Sequence, residues 1–458
     1  MIAGISGLVL SADGKKALVS RRNDLAVIDT KPEQKFEDKI DRSGLQVVVD
    51  PRAEWKQEFR DAWRIMRDYF YDENMHNVDW EGMYDHYAAM LDDCFSRDDV
   101  TFLIQELISE LNVGHAYYRT PPSERTESVG VGLLGADFEF KNGAYRIAKI
   151  YGGAPWDVDA RGPLSQPGIA IKEGDYLLAI NGVELDEDTN PLQAAQGLAG
   201  STAVITVSDK PKRSDDAKDH VVKLVGSEAG LRFRNWIEAK RAYVDKQTDG
   251  KVGYIYVPNT GVDGQNELFR QFYGQKRKAA LIIDERWNGG GQIPTRFIEL
   301  LNRPVTNYWA VRDGKDWTWP PDSHQGPQCM LINGLAGSGG DMFPWLFRHN
   351  KLGKIIGTRT WGGLVGISGN PRLIDGTAIN VPTFGFYETD GTWGVEGHGV
   401  DPDIEVIDDP AKMVDGGDPQ LDAAIKLMLK EIKENGYQRP DRPKSPDRKG
   451  MDLPKEDW

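Results

Sequence analysis

Residues 328–347, QCMLINGLAGSGGDMFPWLF, contain the pattern that decides the fold. An apolar run ends at Ile332, a glycine-rich turn follows, and a helix-like run begins near Asp341. A continuous apolar run is typical of a strand that is buried on both faces. Similar strands alternate with helical patterns across residues 212–437, which predicts an α/β core with a largely parallel sheet.

The same turn places Ser338 between a strand and a helix, and three interpretations are open. As a nucleophile, Ser338 would be exposed by the turn, beside backbone N–H groups that stabilise negative charge at a helix N-terminus. A phosphate-binding loop fits less well, because the stretch lacks a P-loop lysine and a G-x-G-x-x-G pattern with an acid downstream. A tight turn without chemistry fits as well as a nucleophile does.

A serine nucleophile needs a general base, and two histidines are candidates. His115 follows a predicted helix in SELNVGHAYYR (109–119), where Gly114 can adopt a left-handed cap. His398 lies between glycines, close to Glu396, in WGVEGHGVDPDIEV (393–406). The alternative for either histidine is a capping or half-buried loop residue.

Two further glycine-rich segments follow predicted strands of the α/β core. AALIIDERWNGGG (279–291) ends in three glycines whose backbone N–H groups suit an oxyanion. TRTWGGLVGIS (358–368) leaves the edge of the sheet at which α/β proteins bind ligands. Each could equally be a flexible turn, but together with Ser338 they favour a catalytic site.

Three other regions precede the α/β core. Residues 1–38 show two or three strands around an Asp13–Gly14 turn, too few to bury a face alone, so we expect the remnant of a β-propeller at the start of a C-terminal fragment. Residues 39–126 are predicted to be a helical domain, from the apolar stripe Trp55, Phe59, Trp63, Met66 and Phe70. Residues 127–211 are predicted to be a small β-barrel-like domain, and the Pro- and charge-rich tail 438–458 is predicted to be disordered.

The β domain contains a possible peptide-binding loop. Gly132, Leu133, Leu134 and Gly135 could offer N–H groups to a peptide C-terminal carboxylate, and the strand after them could pair with that peptide. The alternative is an internal packing module that does not bind peptide.

Composition excludes several classes of function. The net charge of −15 argues against nucleic acid and anionic membranes as partners. Two cysteines and seven histidines without metal-binding spacing predict neither a disulfide framework nor a metal site. No apolar run approaches the 18 residues of a membrane span.

Taken in order, these motifs resemble the C-terminal half of the tricorn protease family, in the clan of the C-terminal processing peptidases. The likeness covers roughly residues 1–436 and implies a helical domain, a PDZ-like β-barrel domain and an α/β sandwich peptidase core behind missing propellers. It implies a serine peptidase that cleaves oligopeptides to short peptides, without metal or cofactor. A homo-oligomeric full-length protein and a cytoplasmic location are also expected.

The resemblance also assigns roles to individual residues. It implies Ser338 as nucleophile, His115 as general base and Glu396 as the acid of a Ser-His-Ser-Glu tetrad, with oxyanion donors at Gly291 and Gly339.

Three positions depart from the family pattern. Gly114 stands where a serine is expected, which removes a hydroxyl between His115 and Glu396, and Gly339 stands where an aspartate follows the nucleophile. Trp309 aligns with the acidic residue that selects basic P1 side chains, so Trp309 is predicted to contact substrate and an apolar P1 residue is as plausible as a basic one. The rival hypothesis, favoured by Gly114, is an inactive protein that binds peptides through its PDZ-like domain.

Overall fold

The computed structural model describes residues 4–119, 127–153, 161–292, 294–446 and 456. The described chain starts with an antiparallel sheet of three strands in the order β1-β2-β3. These strands are β1 (Gly7–Leu10), β2 (Lys16–Arg21) and β3 (Asp24–Asp29). Ala17 and Val19 of β2 are buried, whereas Leu8, Val9 and Leu10 of β1 are exposed.

Three helices follow, and a short strand ends this part of the chain. They are α1 (Pro51–Tyr69), α2 (Trp80–Ala88), α3 (Arg97–Ser109) and β4 (Tyr117–Tyr118). Asp50 caps α1 by accepting from the N–H groups of Arg52 and Ala53, and Ser96 begins α3 in a capping box. The predicted apolar stripe of α1 is confirmed, because four of its five side chains are buried and Trp55 packs against them. Their core also takes in Leu373, Ile379 and Val381 from the C-terminal region.

The next unit is an antiparallel sheet of six strands with one short helix. The elements are β5 (Ala136–Lys141), β6 (Ala144–Ile150), β7 (Tyr176–Ile180), β8 (Val183–Glu184), α4 (Pro191–Ala194), β9 (Thr202–Ser208) and β10 (Lys218–Lys223). Their order is β10-β9-β7-β6-β5, with β8 paired to β7. The sheet extends past the boundary predicted at residue 211, because β10 pairs with β9 and the charged segment between them is only their connection.

A parallel sheet of five strands forms the centre of the α/β unit, in the order β11-β12-β15-β16-β18. Its strands are β11 (Val252–Tyr256), β12 (Ala280–Asp284), β15 (Gln328–Ile332), β16 (Gly353–Gly357) and β18 (Ile404–Glu405). Its principal helices are α5 (Ala229–Gln247), α6 (Val262–Gln275), α7 (Pro294–Leu301), α8 (Gly339–His349) and α10 (Pro419–Asn435). Separate hydrophobic clusters cover the two faces of the sheet. The prediction of a parallel sheet that is buried on both faces is confirmed.

The remaining elements lie around this core. They are the hairpin of β13 (Asn307–Trp309) and β14 (Trp317–Trp319), the strand β17 (Ile379–Asn380) and the short helix α9 (Pro410–Met413). Pairing of β17 with β4 ties the segment after α3 to the α/β unit. Arg439 and Arg442 of the predicted tail pair with Asp316 beside the hairpin, whereas residues 447–455, 457 and 458 lie outside the described part. No helix within the described ranges is both long and apolar enough to cross a membrane.

Candidate active site

Ser338 occupies a strained turn between β15 and α8. Its backbone has φ 58° and ψ −115°, a conformation that few non-glycine residues adopt and that costs about 1–3 kcal/mol. Two hydrogen bonds hold the turn. The N–H of Ser338 donates to Asp341 Oδ2 at 2.7 Å, and the N–H of Gly337 donates to the carbonyl of Asn288 at 3.1 Å. This geometry is that of a serine presented at the start of a helix.

Asp341 is a residue of this turn to which we assigned no role from the sequence. Its side chain is fully buried, and its second oxygen accepts from the N–H of Gly362 at 2.8 Å, so one carboxylate joins the serine turn to the 358–368 segment. Burial raises the pKa of Asp341, against the hydrogen bonds that the carboxylate accepts. The spacing Ser-x-x-Asp before a helix is the signal that could have identified it, because this is the pattern of a capping box.

A second acid, Glu285, is also fully buried and directly follows strand β12. Burial, and then the charges of Asp341 and Asp284, raise the pKa of Glu285 well above its ordinary value. Burial therefore favours the protonated form of this carboxyl group.

Gly291 and Gly339 approach each other closely in front of Ser338. A Cβ atom built on Gly339 would lie 2.7 Å from the nitrogen of Gly291 and 1.9 Å from Thr260 Oγ1. Among the described residues, neither backbone N–H of this pair donates a hydrogen bond to the protein. Two unpaired N–H groups beside one serine suit an oxyanion.

His115 is brought to the same cavity from the segment that follows α3. The predicted left-handed cap at Gly114 is wrong, because His115 itself has the positive φ of 59°. Burial lowers the pKa of His115 below 6.5, and the charges of Glu396 and Asp341 and a hydrogen bond with the Val365 backbone oppose that shift. Neutral imidazole is the form that a general base requires.

The carboxylate of Glu396 accepts from three backbone N–H groups in two segments. Its Oε1 accepts from the N–H of Gly114 at 2.8 Å, and its Oε2 accepts from the N–H groups of Leu364 at 2.5 Å and Val365 at 2.9 Å. A Cβ on Gly114 would lie 2.8 Å from Gly363 Cα and 3.1 Å from Glu396 Oε1. The N–H of Gly114 therefore ties the backbone beside His115 to Glu396, while the buried Nδ1 of His115 has no hydrogen-bond partner among the described residues.

These segments enclose a cavity of about 870 Å³. His115, Ser338, Gly291 and Gly339 all contribute to its lining. Most of the other lining is apolar, from Pro294, Met342, Leu364, Val365, Ile367, Phe384 and Phe386. Its size is that of ordinary small-ligand sites, and its walls suit an apolar side chain.

Several candidates from the sequence do not line this cavity. Trp309 lies on the β13–β14 hairpin, 52% exposed and stacked on Trp317. His398 is exposed and pairs with Asp401 at 2.7 Å. The loop 132–135 belongs to the six-stranded antiparallel unit instead. Within the described ranges, no group of three His, Cys, Asp or Glu side chains is arranged to hold a metal ion.

Three family models match consecutive parts of the chain. They are "Tricorn protease C1 domain" over residues 51–109, "Tricorn protease PDZ domain" over residues 132–227 and "Peptidase family S41" over residues 251–406. The helices α1–α3 and the six-stranded antiparallel unit therefore each match a tricorn protease domain, and the parallel core matches peptidase family S41.

Comparison with individual proteins gives the same result. The chain is 34% identical to Tricorn protease homolog 1 of Streptomyces coelicolor, over 94% of this chain and 41% of that protein. It is 35% identical to the Putative Tricorn-like protease C-terminal subunit of Sulfurisphaera tokodaii, over 94% of this chain and 50% of the relative. The chain thus spans half or less of the length of these curated relatives.

A solved structure extends the likeness to three dimensions. The crystal structure of the tricorn protease superposes with a TM-score of 0.87 at 32% identity, covering 94% of this chain and 42% of that one. With agreement in sequence, domain order and fold, the chain belongs to the tricorn protease family and carries its PDZ and family S41 peptidase domains.

Proposed function

We propose that the chain is a serine peptidase that hydrolyses oligopeptides through an acyl-enzyme on Ser338. One observation carries the proposal. Ser338, His115 and the N–H groups of Gly291 and Gly339 line one cavity, although they come from three separate segments. Membership of the tricorn protease family supports the same activity, and the oligopeptide substrates rest on that membership.

The reaction is acyl transfer. His115 removes the proton of Ser338 Oγ as that oxygen attacks the peptide carbonyl carbon, and the N–H groups of Gly291 and Gly339 stabilise the oxyanion. One such donor lowers the activation free energy by about 3–4 kcal/mol. His115 then protonates the leaving amine, and water hydrolyses the acyl-enzyme by the same steps.

Glu396 acts on His115 through the backbone and through its charge. It fixes the segment of His115 by accepting the N–H of Gly114, and its negative charge favours the imidazolium that forms during attack. The hydrogen bond from Gly114 does not reach the imidazole, and the buried Nδ1 of His115 has no hydrogen-bond partner among the described residues, so Gly114 stays the feature that favours the inactive peptide-binding alternative.

The lining of the cavity favours an apolar P1 side chain. Among the described residues that line the cavity, His115 is the one ionisable side chain, and Met342, Ile367, Phe384 and Phe386 are among the apolar ones. A basic P1 side chain would lose its hydration without a carboxylate to pair with, which is costly. Homo-oligomeric assembly, a cytoplasmic location and a β-propeller remnant at residues 1–38 stay predictions.

Labelling with a fluorophosphonate tests the nucleophile directly. The probe should form an adduct on Ser338 that peptide mapping by mass spectrometry locates, and His115→Ala should slow the reaction by orders of magnitude because the base is lost. Ser368, which lines the same cavity but hydrogen-bonds to Thr383, should stay unmodified. A folded protein without an adduct at Ser338, or with labelling that does not depend on His115, would refute the mechanism.

The pH profile of kcat/KM tests the role of His115. Because burial lowers the pKa of His115, activity should rise with pH, reach half its maximum below pH 6.5 and then level off. Glu396→Gln removes a charge that raises the pKa of His115, so the midpoint should move lower still. Circular dichroism at each pH separates titration from unfolding. A midpoint above 6.5, or an upward shift in the variant, would contradict this assignment.

A further inference from the structure

The loop 132–135 of the PDZ domain uses most of its backbone donors within the protein. The N–H of Gly132 donates to the carbonyl of Ala195 at 2.9 Å, and the N–H of Leu133 donates to the carbonyl of Val225 at 2.8 Å. The N–H of Gly135 donates to Glu228 Oε1 at 2.6 Å. The donor just before strand β5 is therefore occupied by a carboxylate of the same chain.

Glu228 is well suited to this position. It precedes α5, and 9% of its surface is exposed. Its second oxygen accepts from Arg232 Nε at 2.9 Å and Nη2 at 2.6 Å. Arg232 also pairs with Asp137 of β5 at 2.7 Å and lies over the ring of Tyr151. A buried carboxylate is stable here because each of its oxygens is paired.

The first turn of α5 also places an aliphatic side chain against the loop. A Cβ built on Gly135 would lie 3.2 Å from Leu231 Cδ1, and one on Gly162 would lie 3.6 Å from the same atom. β5 itself is the terminal strand of its sheet. A carboxylate and an aliphatic side chain thus lie together beside a terminal strand, which is the combination that the C-terminus of a peptide would offer.

We propose that Glu228 is a built-in occupant of a carboxylate site on the PDZ domain, so that a peptide C-terminus binds there only when the first turn of α5 withdraws. The ligand class is a peptide with a free C-terminal carboxylate and an aliphatic last residue. Because Glu228 is tethered, its effective concentration is on the order of millimolar or higher, and it outcompetes a dilute peptide. This inference does not depend on the proposed peptidase activity.

Fluorescence anisotropy tests the proposal with a labelled peptide that ends in leucine, compared with its C-terminal amide. All proteins carry Ser338→Ala, so that the peptide stays intact and any binding in the cavity is common to them. With Glu228→Ala added, the protein should bind the free acid at least tenfold more tightly than the amide. The parent protein, which carries Ser338→Ala alone, should show no such preference. Glu228→Gln keeps a neutral acceptor for Gly135, so its preference should be intermediate.

Glu267→Ala is the matched control. It removes another part-buried carboxylate, paired with Arg234, far in sequence from the loop. It should show no preference for the free acid. A parent that already prefers the free acid would overturn the proposal, and so would a folded Glu228→Ala that does not. If Glu228→Ala does not fold, the proposal is overturned by a folded Glu228→Gln that shows no more preference for the free acid than the parent does.

Discussion

Ser338→Ala should reduce kcat for hydrolysis of a short peptide with an apolar P1 residue by roughly 10⁴–10⁶-fold, because loss of the nucleophile removes the acyl-enzyme route. The residual rate would come from the oxyanion donors and from substrate binding alone. His115→Ala should cost a similar factor, and the double variant should be little worse than either, since the two residues act as a unit.

Ser368→Ala is the matched control for this substitution. Ser368 lines the same cavity, and its hydroxyl hydrogen-bonds to Thr383 at 2.8 Å, so its loss should change kcat only slightly. Turnover is measured by separating peptide products, with circular dichroism to confirm that each variant is folded. Substantial activity in Ser338→Ala, or its loss in Ser368→Ala alone, would identify a different nucleophile.

Gly291→Ala should have a smaller but still large effect, a loss in kcat of at least about 10²–10³-fold, as for an oxyanion donor that is removed. The added Cβ would lie 2.4 Å from both the nitrogen of Gly261 and the carbonyl carbon of Thr260, and φ at Gly291 is +148°. The backbone must therefore move, and the N–H that faces the oxyanion moves with it. KM should change much less than kcat, because this interaction forms in the transition state.

Gly289→Ala separates this effect from a general sensitivity of the glycine-rich turn. A Cβ on Gly289 meets no atom within 4 Å, and its φ is not positive, so the variant should keep near-normal activity. Equal activity of the two variants, both folded, would show that the N–H of Gly291 does not contribute to catalysis.

Much of the fold could be predicted from short stretches. The apolar run before Ser338, the stripe of α1 and the Asp13–Gly14 turn are local patterns, and the structure contains the strand, the helix and the turn that they predict. The boundary at residue 211 was harder to place, because a charged connection between two paired strands has the same composition as a linker between domains.

The site divides in a similar way. Ser338, His115 and the three glycines were recognisable as residue types that suit catalysis, and Glu396 was implied by the resemblance. The hydrogen bond from the Gly114 N–H to Glu396 was not predictable. The two residues lie 282 positions apart in the sequence, and their contact also depends on the close approach of Gly363. For Trp309, alignment with a family position predicted a contact with substrate, whereas in the structure its side chain stacks on Trp317.

The sequence by itself determined which segments are strands, helices and glycine turns, because periodicity and turn chemistry depend on neighbouring residues. Only the tertiary structure decided which backbone donors are free and which are taken. The N–H groups of Gly291 and Gly339 face the cavity without an acceptor among the described residues, whereas that of Gly135 is satisfied by Glu228. Every residue except proline carries the same N–H, so its use is set by the side chains that packing brings to it.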